Sequence, residues 1–597
     1  MSMNAPRWDL TPWFTGLGTE EYRTAFATSV EDADELATAF AGAQPLSADT
    51  ITTWAELLAR LENAEVRFHH IWTYIRCLTS TDATNADAKR EDGAAGILGA
   101  KFRSLSTQLE AQIGQCTDEV FAAFSSLEAH QDLRYPLKRM RARVARRMAP
   151  EMEQLASDLA VDGFHSWGHL YNDITGSLEF DLKGESTPLA WRRSLLQDPD
   201  PSVRAEAFAQ SNAALAEEAE ILARTLNSIA GRRITLQRWR GTDDVLGESV
   251  FSEGMTRSSL DAMLDTVKSR RGLAQEYLQL KAQLLGAETI SFRDLGAPLD
   301  LGEDTTYSWE EARDLVLRAF DAYHPDLKSF ALEMFETQRV EAEARRGKRS
   351  GAYCTGSKLD QTARVFMTFR GTLGDVVTLA HELGHAYHHA IMAGMRSWAC
   401  RYPASLAETA SILAETLVGD VLLNDPESSP TLRLQVLEKR LHSAAIYMLN
   451  IPMRFEFEDA FYRRRQDGTV SASELCDLMH ETQLSVYGSA LNPEETDPWF
   501  WASKLHFFLT GISFYNFPYT FGYLFSTGVL AEARREGPDV FQPRLTALLE
   551  QTGSDSVEVV AMDSLGVDLT KPHFWNASLD QVEADLKRFK ALVSELT

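Results

Sequence analysis

Residues 379–389 read LAHELGHAYHH, with two histidines four positions apart and a glutamate beside the first. In an α-helix, positions i and i+4 lie on one face, so His381 and His385 can point at the same metal ion. Glu382 can then take a proton from water instead of binding the metal. Asp375 is predicted to cap the start of this helix. The HExxH arrangement predicts a zinc site, and the alternative is a surface helix with paired histidines and no metal.

A catalytic zinc ion takes three protein ligands and keeps one coordination position open. The metzincin pattern needs glycine at position 388 and histidine at position 391, but the chain has His388 and Ile391, which excludes that class. The next apolar helical segment carries Glu408 and Glu415 on one face, where buried carboxylates need a partner. We predict Glu408 as the third ligand and Glu415 as a residue that orients a histidine. The alternative for Glu408 is a capping box with Ser405.

The composition of the chain argues against several kinds of partner and environment. The 597 residues include 59 lysines and arginines against 86 acids, a formal charge of −27 that argues against a nucleic-acid partner. The five cysteines include no CxxC pair, which predicts a reducing, cytoplasmic environment and gives no sign of a thiolate zinc site. The first 14 residues lack the pattern of a secretion signal. Residues 505–530 are apolar, but Asn516 and Pro518 interrupt them, so no membrane association is predicted.

Helical periodicity dominates the chain and predicts a mostly α fold. The predicted helices are 19–42, 50–80, 85–114, 118–130, 136–160, 201–231, 257–286, 308–346, 430–448 and 454–466. The clearest strand patterns are LEFDL at 178–182 and RVFMTFR at 364–370, just before the HELGH helix. A Gly-, Pro- and Asp-rich interval at 183–201 predicts a boundary between an N-terminal helical lobe, residues 1–195, and a catalytic domain, residues 196–597.

The apolar segment near the C-terminal end carries polar groups at helical spacing. Pro518 suits the first turn of a helix, which would place Tyr519 and Tyr523 on one face and Tyr515 in the preceding loop. These phenols and His506 are suitable hydrogen-bond donors to an oxyanion. Packing in an aromatic core is the alternative for each tyrosine.

A second histidine pair, His165 and His169, also has i, i+4 spacing. No acidic residue lies between the two, so packed or exposed histidines are favoured over a second metal site.

The segment HELGHAYH followed by AETASILAE resembles the oligoendopeptidase F branch of the thimet oligopeptidase family of zinc metallopeptidases. That family pairs HExGHxxH with an E-x-x-S-x-x-x-E helix, and Glu408, Ser411 and Glu415 match the second motif in register. WDL at 8–10 and GTLGDVVTLAHELGHAYH at 371–388 are also similar to that branch. The resemblance implies a gluzincin-type fold that is mostly α, with two helical lobes around a deep substrate channel and a small β-sheet beside the zinc helix.

The same resemblance implies roles for individual residues. One Zn²⁺ ion per chain would be bound by His381, His385 and Glu408, with Glu382 as the general base. The residues implied to support the ligands are His388, Ser411 and Glu415. The family also uses a histidine and tyrosines as oxyanion donors, and the candidates here are His506, Tyr515, Tyr519 and Tyr523. The spacing from the histidine to the tyrosines differs from the thimet branch, so no single tyrosine is assigned.

These observations predict a zinc-dependent endopeptidase that hydrolyses internal peptide bonds of short oligopeptides, which are its expected partners. The strand at 364–370 is expected to be an edge strand to which the substrate backbone adds. One alternative is a zinc carboxypeptidase of related helical fold, which would need a cationic pocket for the C-terminal carboxylate. The other is a non-catalytic helical peptide-binding protein whose HELGH helix is inert.

Overall fold

Helices form most of the fold, as the periodicity predicts. The computed structural model describes residues 5–242, 244–302 and 305–596. In chain order its helices are α1 (Glu20–Gly42), α2 (Ile51–Thr81), α3 (Ala86–Gln115), α4 (Asp118–Ser125), α5 (Arg134–Ala145), α6 (Pro150–Ala160), α7 (Ser166–Ser177), α8 (Arg192–Leu195), α9 (Pro201–Glu217), α10 (Ala219–Trp239), α11 (Val245–Ser252), α12 (Arg257–Arg270), α13 (Gly272–Leu284), α14 (Trp309–Tyr323), α15 (Pro325–Glu336), α16 (Leu373–Ile391), α17 (Ala404–Ala407), α18 (Thr409–Asn424), α19 (Pro430–Ala445), α20 (Ile451–Asp467), α21 (Ala472–Tyr487), α22 (Phe500–Ser503), α23 (Phe517–Glu536), α24 (Pro538–Gln551), α25 (Val557–Leu565) and α26 (Pro572–Leu596).

Proline divides two of the predicted helices. The helix expected at 136–160 is split before Pro150, and the helix expected at 308–346 is split before Pro325. A residue that precedes proline avoids the helical conformation, because the proline ring collides with its backbone. Ala149 and His324 are accordingly extended, with ψ angles of 145° and 138°.

Two small sheets accompany the helices. A hairpin pairs β1 (Glu179–Leu182) with β2 (Glu185–Pro188). A three-stranded sheet contains β3 (Val340–Glu341), β4 (Tyr353–Ser357) and β5 (Thr362–Phe366) in the order β3-β5-β4. Strand β5 is parallel to β3 and antiparallel to β4.

The strand predicted at 364–370 is β5, but the prediction that it forms an edge of the sheet is wrong. It is the central strand, and β4 lies at an edge beside it. Arg364 is buried, with its guanidinium 4.6 Å from the ring centroid of Trp13. Residues that alternate with it, such as Val365, are buried as well, and burial on both faces is typical of a central strand.

The chain forms two compact units, each assembled from separate stretches of sequence. Unit 1 contains Met1–Arg146, Glu303–Ser428 and Val529–Asp568. Unit 2 contains Arg147–Gly302, Ser429–Gly528 and Leu569–Thr597. This division differs from the expected boundary near residue 195, because compactness depends on contacts between distant stretches and not on local composition.

Each unit has its own apolar core. In unit 1, helices α1 to α5 bury a large cluster that includes Trp54, Phe68 and Phe102 and extends to Phe366 of β5. The sheet of unit 1 also packs against α16, the helix that carries the HELGH motif. In unit 2, α10 packs on α20 and buries residues such as Ile229. The metal-binding motif is therefore supported by a sheet and a helical core within unit 1.

Candidate metal centre and active-site residues

The start of α16 is fixed by a reciprocal cap. The hydroxyl of Thr372 accepts from the backbone N–H of Asp375 at 3.1 Å. The Asp375 carboxylate accepts from the backbone N–H groups of Thr372 at 3.0 Å and Arg370 at 2.9 Å. The predicted capping role of Asp375 is confirmed, and the cap fixes the residue at which α16 begins.

Three predicted ligands converge within unit 1. Glu408 Oε2 lies 3.3 Å from His381 Nε2 and 3.4 Å from His385 Nε2. One ligand atom from each residue lies within 4.8 Å of the other two, a spacing that allows all three to bind one ion. Two imidazole nitrogens and one carboxylate oxygen are the donors of many catalytic zinc sites. The residues present therefore fit the metal that the motif predicts.

Glu408 reaches the histidines because the helix breaks at this residue. The expected single helix is divided into α17 and α18, and Glu408 lies between them with φ −86° and ψ 2°. The capping box with Ser405 is not formed, because Pro403 occupies the N-cap of α17 and Ser405 lies inside that helix. Glu408 itself is the N-cap of α18 and makes no side-chain cap hydrogen bond.

Two residues of α18 hold the ligands in place. Ser411 Oγ donates to Glu408 Oε2 at 2.7 Å. Glu415 Oε2 lies 3.7 Å from Nδ1 of His381, the ring nitrogen that does not face Glu408. Such contacts set the orientation and the protonated nitrogen of a ligating imidazole. The positions of Ser411 and Glu415 agree with the supporting roles expected of them.

The ionisable side chains at this centre shift each other's pKa. Burial lowers the pKa of His381, but the hydrogen bond and charge of Glu415, with the charges of Glu408 and Glu382, raise it to about 9. Burial raises the pKa of Glu408, but the hydrogen bond and charge of His385 and the charge of His381 lower it to about 2. The carboxylate is thus held ionised, as a metal ligand must be.

Helices α16 and α18 meet closely at Gly384. A Cβ atom at this position would lie 2.5 Å from the backbone oxygen of Ala410 and 2.6 Å from Cα of Ser411. Only glycine permits this approach without displacing the backbone of α18. The contact brings Glu408 and Ser411 up to the histidine face of α16.

Glu382 is buried, and its two carboxylate oxygens have different surroundings. The backbone N–H of Cys354, on strand β4, hydrogen-bonds the carboxylate. Oε2 is buried and has no hydrogen-bond partner among the described residues. Burial, together with the charge of Glu408, raises the pKa of Glu382, although both ligand histidines oppose the shift. An anchored carboxylate with one unoccupied oxygen can accept a proton.

His388, which the resemblance implies as a supporting residue, makes its polar contacts with the end of α24. Its Nε2 contacts the carbonyl oxygen of Leu549 at 3.1 Å and Oγ1 of Thr552 at 2.9 Å. Its ring stacks on Tyr402, with centroids 4.5 Å apart. Complete burial lowers its pKa to about 3. The neutral imidazole therefore connects α16 to the end of α24.

The predicted oxyanion donors belong to unit 2, where three of the four form a cluster. The His506 ring lies parallel to that of Tyr515 at 5.6 Å and 6.3 Å from that of Tyr519. Tyr519 lies in the first turn of α23, as Pro518 predicts, and its phenol hydrogen-bonds that of Tyr515. Tyr523 is elsewhere, with its ring stacked on Tyr447 at 4.5 Å.

The loop before α23 is held by residues that the sequence did not single out. Phe514 has a left-handed φ of 49°, which is unusual for a residue with a side chain. Its backbone N–H donates to Glu458 Oε1 at 2.8 Å. Arg233 donates to the carbonyl oxygens of Leu509 and Ile512. In the sequence, this glutamate and this arginine lie among other charged residues of α20 and α10, where nothing distinguishes them from ordinary surface positions.

In the second histidine pair, His165 contacts a hydroxyl group. His165 Nδ1 contacts Thr510 Oγ1 at 2.9 Å and is exposed. Within the part of the chain that the structure describes, His381, His385 and Glu408 are the one group whose ligand atoms could hold an ion.

None of the described helices has the length and apolar character needed to span a membrane.

Sequence and structure comparisons agree with the class that the helical fold and the HExxH-plus-glutamate centre define. The profile of peptidase family M3 matches residues 194–580, and that of oligopeptidase F matches 112–180. Oligopeptidase PepF of Bacillus subtilis is 22% identical over 560 residues, covering 92% of this chain and 81% of the relative. Group B oligopeptidase PepB of Streptococcus agalactiae is 23% identical over 602 residues, covering 99% and 97%.

The fold is shared with solved structures at low sequence identity. Oligoendopeptidase-F of Enterococcus faecium superposes with a TM-score of 0.68 at 19% identity, covering 96% of this chain and 98% of that one. A protein of Chlamydophila abortus gives 0.83 at 19% identity, covering 98% of each chain. The chain belongs to peptidase family M3 and is a metalloendopeptidase.

Proposed function

We propose that this metalloendopeptidase is zinc-dependent, that it cleaves oligopeptides, and that His381, His385 and Glu408 bind the ion. The observation that carries the proposal is the convergence of these three ligand atoms within 4.8 Å beside the buried Glu382. The names of the relatives, which are oligopeptidases, support short peptides as substrates.

The chemistry follows from the positions of the side chains. A zinc ion at these ligands supplies the positive charge that polarises the scissile carbonyl and makes a water molecule more acidic. Glu382 takes a proton from the attacking water on its unoccupied Oε2 and returns it to the leaving amine. Its raised pKa suits a group that must both accept and release a proton near neutral pH.

We propose that the cluster of His506, Tyr515 and Tyr519 donates hydrogen bonds to the developing oxyanion. Burial, followed by the charges of Arg454, Lys504 and Arg193, lowers the pKa of His506 to about 4. The imidazole is therefore neutral at neutral pH and can donate through one nitrogen. The phenol of Tyr519 remains protonated, since burial and its hydrogen bond with Tyr515 raise the pKa of Tyr519. Tyr523 is a weaker candidate because its ring stacks on Tyr447.

Strand β4 replaces β5 as the proposed edge for the substrate backbone. It lies at the edge of its sheet, and Cys354 on this strand contacts the proposed base. A peptide that pairs with β4 by strand addition would be ordered next to Glu382.

We also place the protein in a reducing compartment, the cytosol. All five cysteines are free thiols, and two of them, Cys77 and Cys116, are buried in the core of unit 1. Unpaired core cysteines are typical of proteins that fold in reducing conditions.

Replacing Glu382 by glutamine tests the mechanism. Glu382→Gln should retain about one zinc per chain, because its ligands are intact, and should lose peptidase activity by about 10²–10⁴-fold. Zinc is measured by elemental analysis, and products of a peptide blocked at both termini are identified by mass spectrometry. Glu427→Gln, at an exposed glutamate, is the control and should behave as wild type.

Several results would contradict the proposal. Near-normal activity of Glu382→Gln would exclude this base. Activity that survives complete removal of metal by a chelator would exclude zinc dependence. Cleavage confined to the C-terminal residue of unblocked peptides would favour the carboxypeptidase alternative.

A further inference from the structure

Unit 2 contains a cavity of about 880 Å³ whose wall includes two of the proposed oxyanion donors, His506 and Tyr519. Apolar side chains, among them Phe292 and Phe500, form much of the remaining wall. A volume of this size accommodates part of a peptide.

The cavity wall has an excess of positive charge. Four arginines and one lysine line it, and Asp497 is its single carboxylate. Asp497 is completely buried and already binds Arg192, at 2.7 Å, and Asn212, at 3.1 Å. Arg293 binds Glu495 outside the lining at 2.9 Å. Three cations remain: Arg193, Arg454 and Lys504.

Among the described residues, Arg454 and Lys504 have no carboxylate at ion-pair distance. The Arg454 guanidinium contacts the amide oxygens of Asn450 and Asn516, and its Nε is buried without a partner. It lies 5.4 Å from the centroid of Phe500, and Lys504 Nζ lies 4.7 Å from the same centroid. Two cations near one aromatic ring repel each other, and an anion bound between them would offset this repulsion.

The titratable groups of the cavity are consistent with this geometry. Burial, followed by the charges of Arg454, Arg192 and Arg193, lowers the pKa of Lys504 to about 7, although Asp497 opposes the shift. The pKa of His506 is lowered by burial and by the charges of Arg454, Lys504 and Arg193. Both groups therefore experience a positive potential.

We propose that this cavity binds a carboxylate of the peptide substrate, held by Arg454 and Lys504 with Arg193 at the exposed end. The inference rests on the proposed function, since peptides supply such a carboxylate either at the C-terminus or on an aspartate or glutamate side chain. Arginine presents a planar pair of donors and lysine a compact charge, and a carboxylate can accept from both. An endopeptidase can use such a site for a substrate carboxylate that is remote from the cleaved bond.

The test uses internally quenched peptides of one sequence. One pair differs only in a free or amidated C-terminus, and a second, amidated pair differs in glutamate or glutamine at one internal position. We expect the wild type to favour the carboxylate member of one pair by about tenfold in kcat/KM, the effect of one charge-assisted hydrogen bond. Which pair responds identifies the source of the carboxylate.

Lys504→Met should reduce this preference to within about twofold, because the variant lacks one of the two cations that hold the carboxylate. Lys504→Arg should retain the preference. Arg293→Gln is the matched control, because Arg293 lines the same cavity but is paired with Glu495. No preference in the wild type, or a preference that persists in Lys504→Met, would overturn the proposal.

A binding measurement separates this inference from the proposed function. N-acetyl-alanylalanine and its amide are titrated into wild type and Lys504→Met by calorimetry, which does not require catalysis. Binding of the acid by the wild type, but not by Lys504→Met, supports the carboxylate site even if no peptide is cleaved. Equal binding of acid and amide, or tighter binding of inorganic phosphate than of the acid, would overturn it.

Discussion

At the scale of single residues, burial gives Glu382 and His388, two side chains of α16, different roles. Glu382 keeps one oxygen without a partner, whereas His388 is neutral and contacts α24. Both residues are part of the same family motif, and the sequence alone assigned both to the centre. The identity of a residue in a motif therefore does not show which atoms are available for chemistry.

The three tyrosines can be separated by conservative substitutions. Tyr519→Phe or Tyr515→Phe removes one donor but keeps the ring, so kcat should fall by up to about 10²–10³-fold with KM little changed. Tyr523→Phe should have the smallest effect, because that ring stacks on Tyr447. Steady-state kinetics, zinc content and melting temperature are measured for each variant. Unchanged kcat in both Tyr515→Phe and Tyr519→Phe would leave only a structural role for these phenols.

At the scale of elements, the metal centre depends on how closely α16 approaches α18. Gly384→Ala places a Cβ atom within 2.5 Å of the Ala410 carbonyl oxygen, so α18 must move and carry Glu408 with it. Zinc affinity should fall at least about tenfold, as it does when a supporting contact is lost, and the melting temperature should fall.

The matched control is Gly394→Ala, where an added Cβ meets no atom within 4 Å. Metal affinity is measured by competition with a fluorescent chelator, and stability by thermal unfolding. If Gly384→Ala and Gly394→Ala bind zinc equally well, close helix packing does not set the position of Glu408.

The parts of this centre that the sequence predicted are those fixed by local geometry. The spacing of His381 and His385 and the cap at Asp375 depend on one helix, so their types and positions suffice. The central position of β5 and the break at Glu408 depend on what packs against these segments. Arg454 and Lys504 gave no signal either, because their significance comes from the absence of nearby carboxylates in the folded unit.

At the scale of the whole molecule, the free energy of unfolding should depend on pH because of one buried acid. Burial raises the pKa of Glu458 from 4.5 to about 7, opposed by the Phe514 N–H, the charge of Arg233 and a hydrogen bond with Asn516. Because the folded state binds the proton more tightly, the stabilising contribution is complete below pH 4.5 and is lost as pH rises through 7.

Glu458→Gln keeps an acceptor for the Phe514 N–H but cannot ionise. The free energy of unfolding of this variant, relative to wild type, should therefore rise between pH 4.5 and about 7.5. Urea denaturation across this range measures the difference. Glu494→Gln, at an exposed glutamate, shows the effect of removing one negative charge elsewhere. A Glu458→Gln difference that is constant with pH would show that Glu458 is ionised in the folded protein.

The three separate stretches of unit 1 bear on the order in which the protein is made. A ribosome that has reached Gly528 has already synthesised the histidines and Glu408, but not the stretch Val529–Asp568. His388 then lacks Leu549 and Thr552, and the Tyr387 hydroxyl lacks the amide of Gln542, which donates to it at 2.6 Å. Domains fold as units during synthesis, so the metal centre gains its full packing only when nearly the whole chain has emerged. A translation product truncated at Gly528 would carry the complete zinc motif without the third stretch of the unit that supports it.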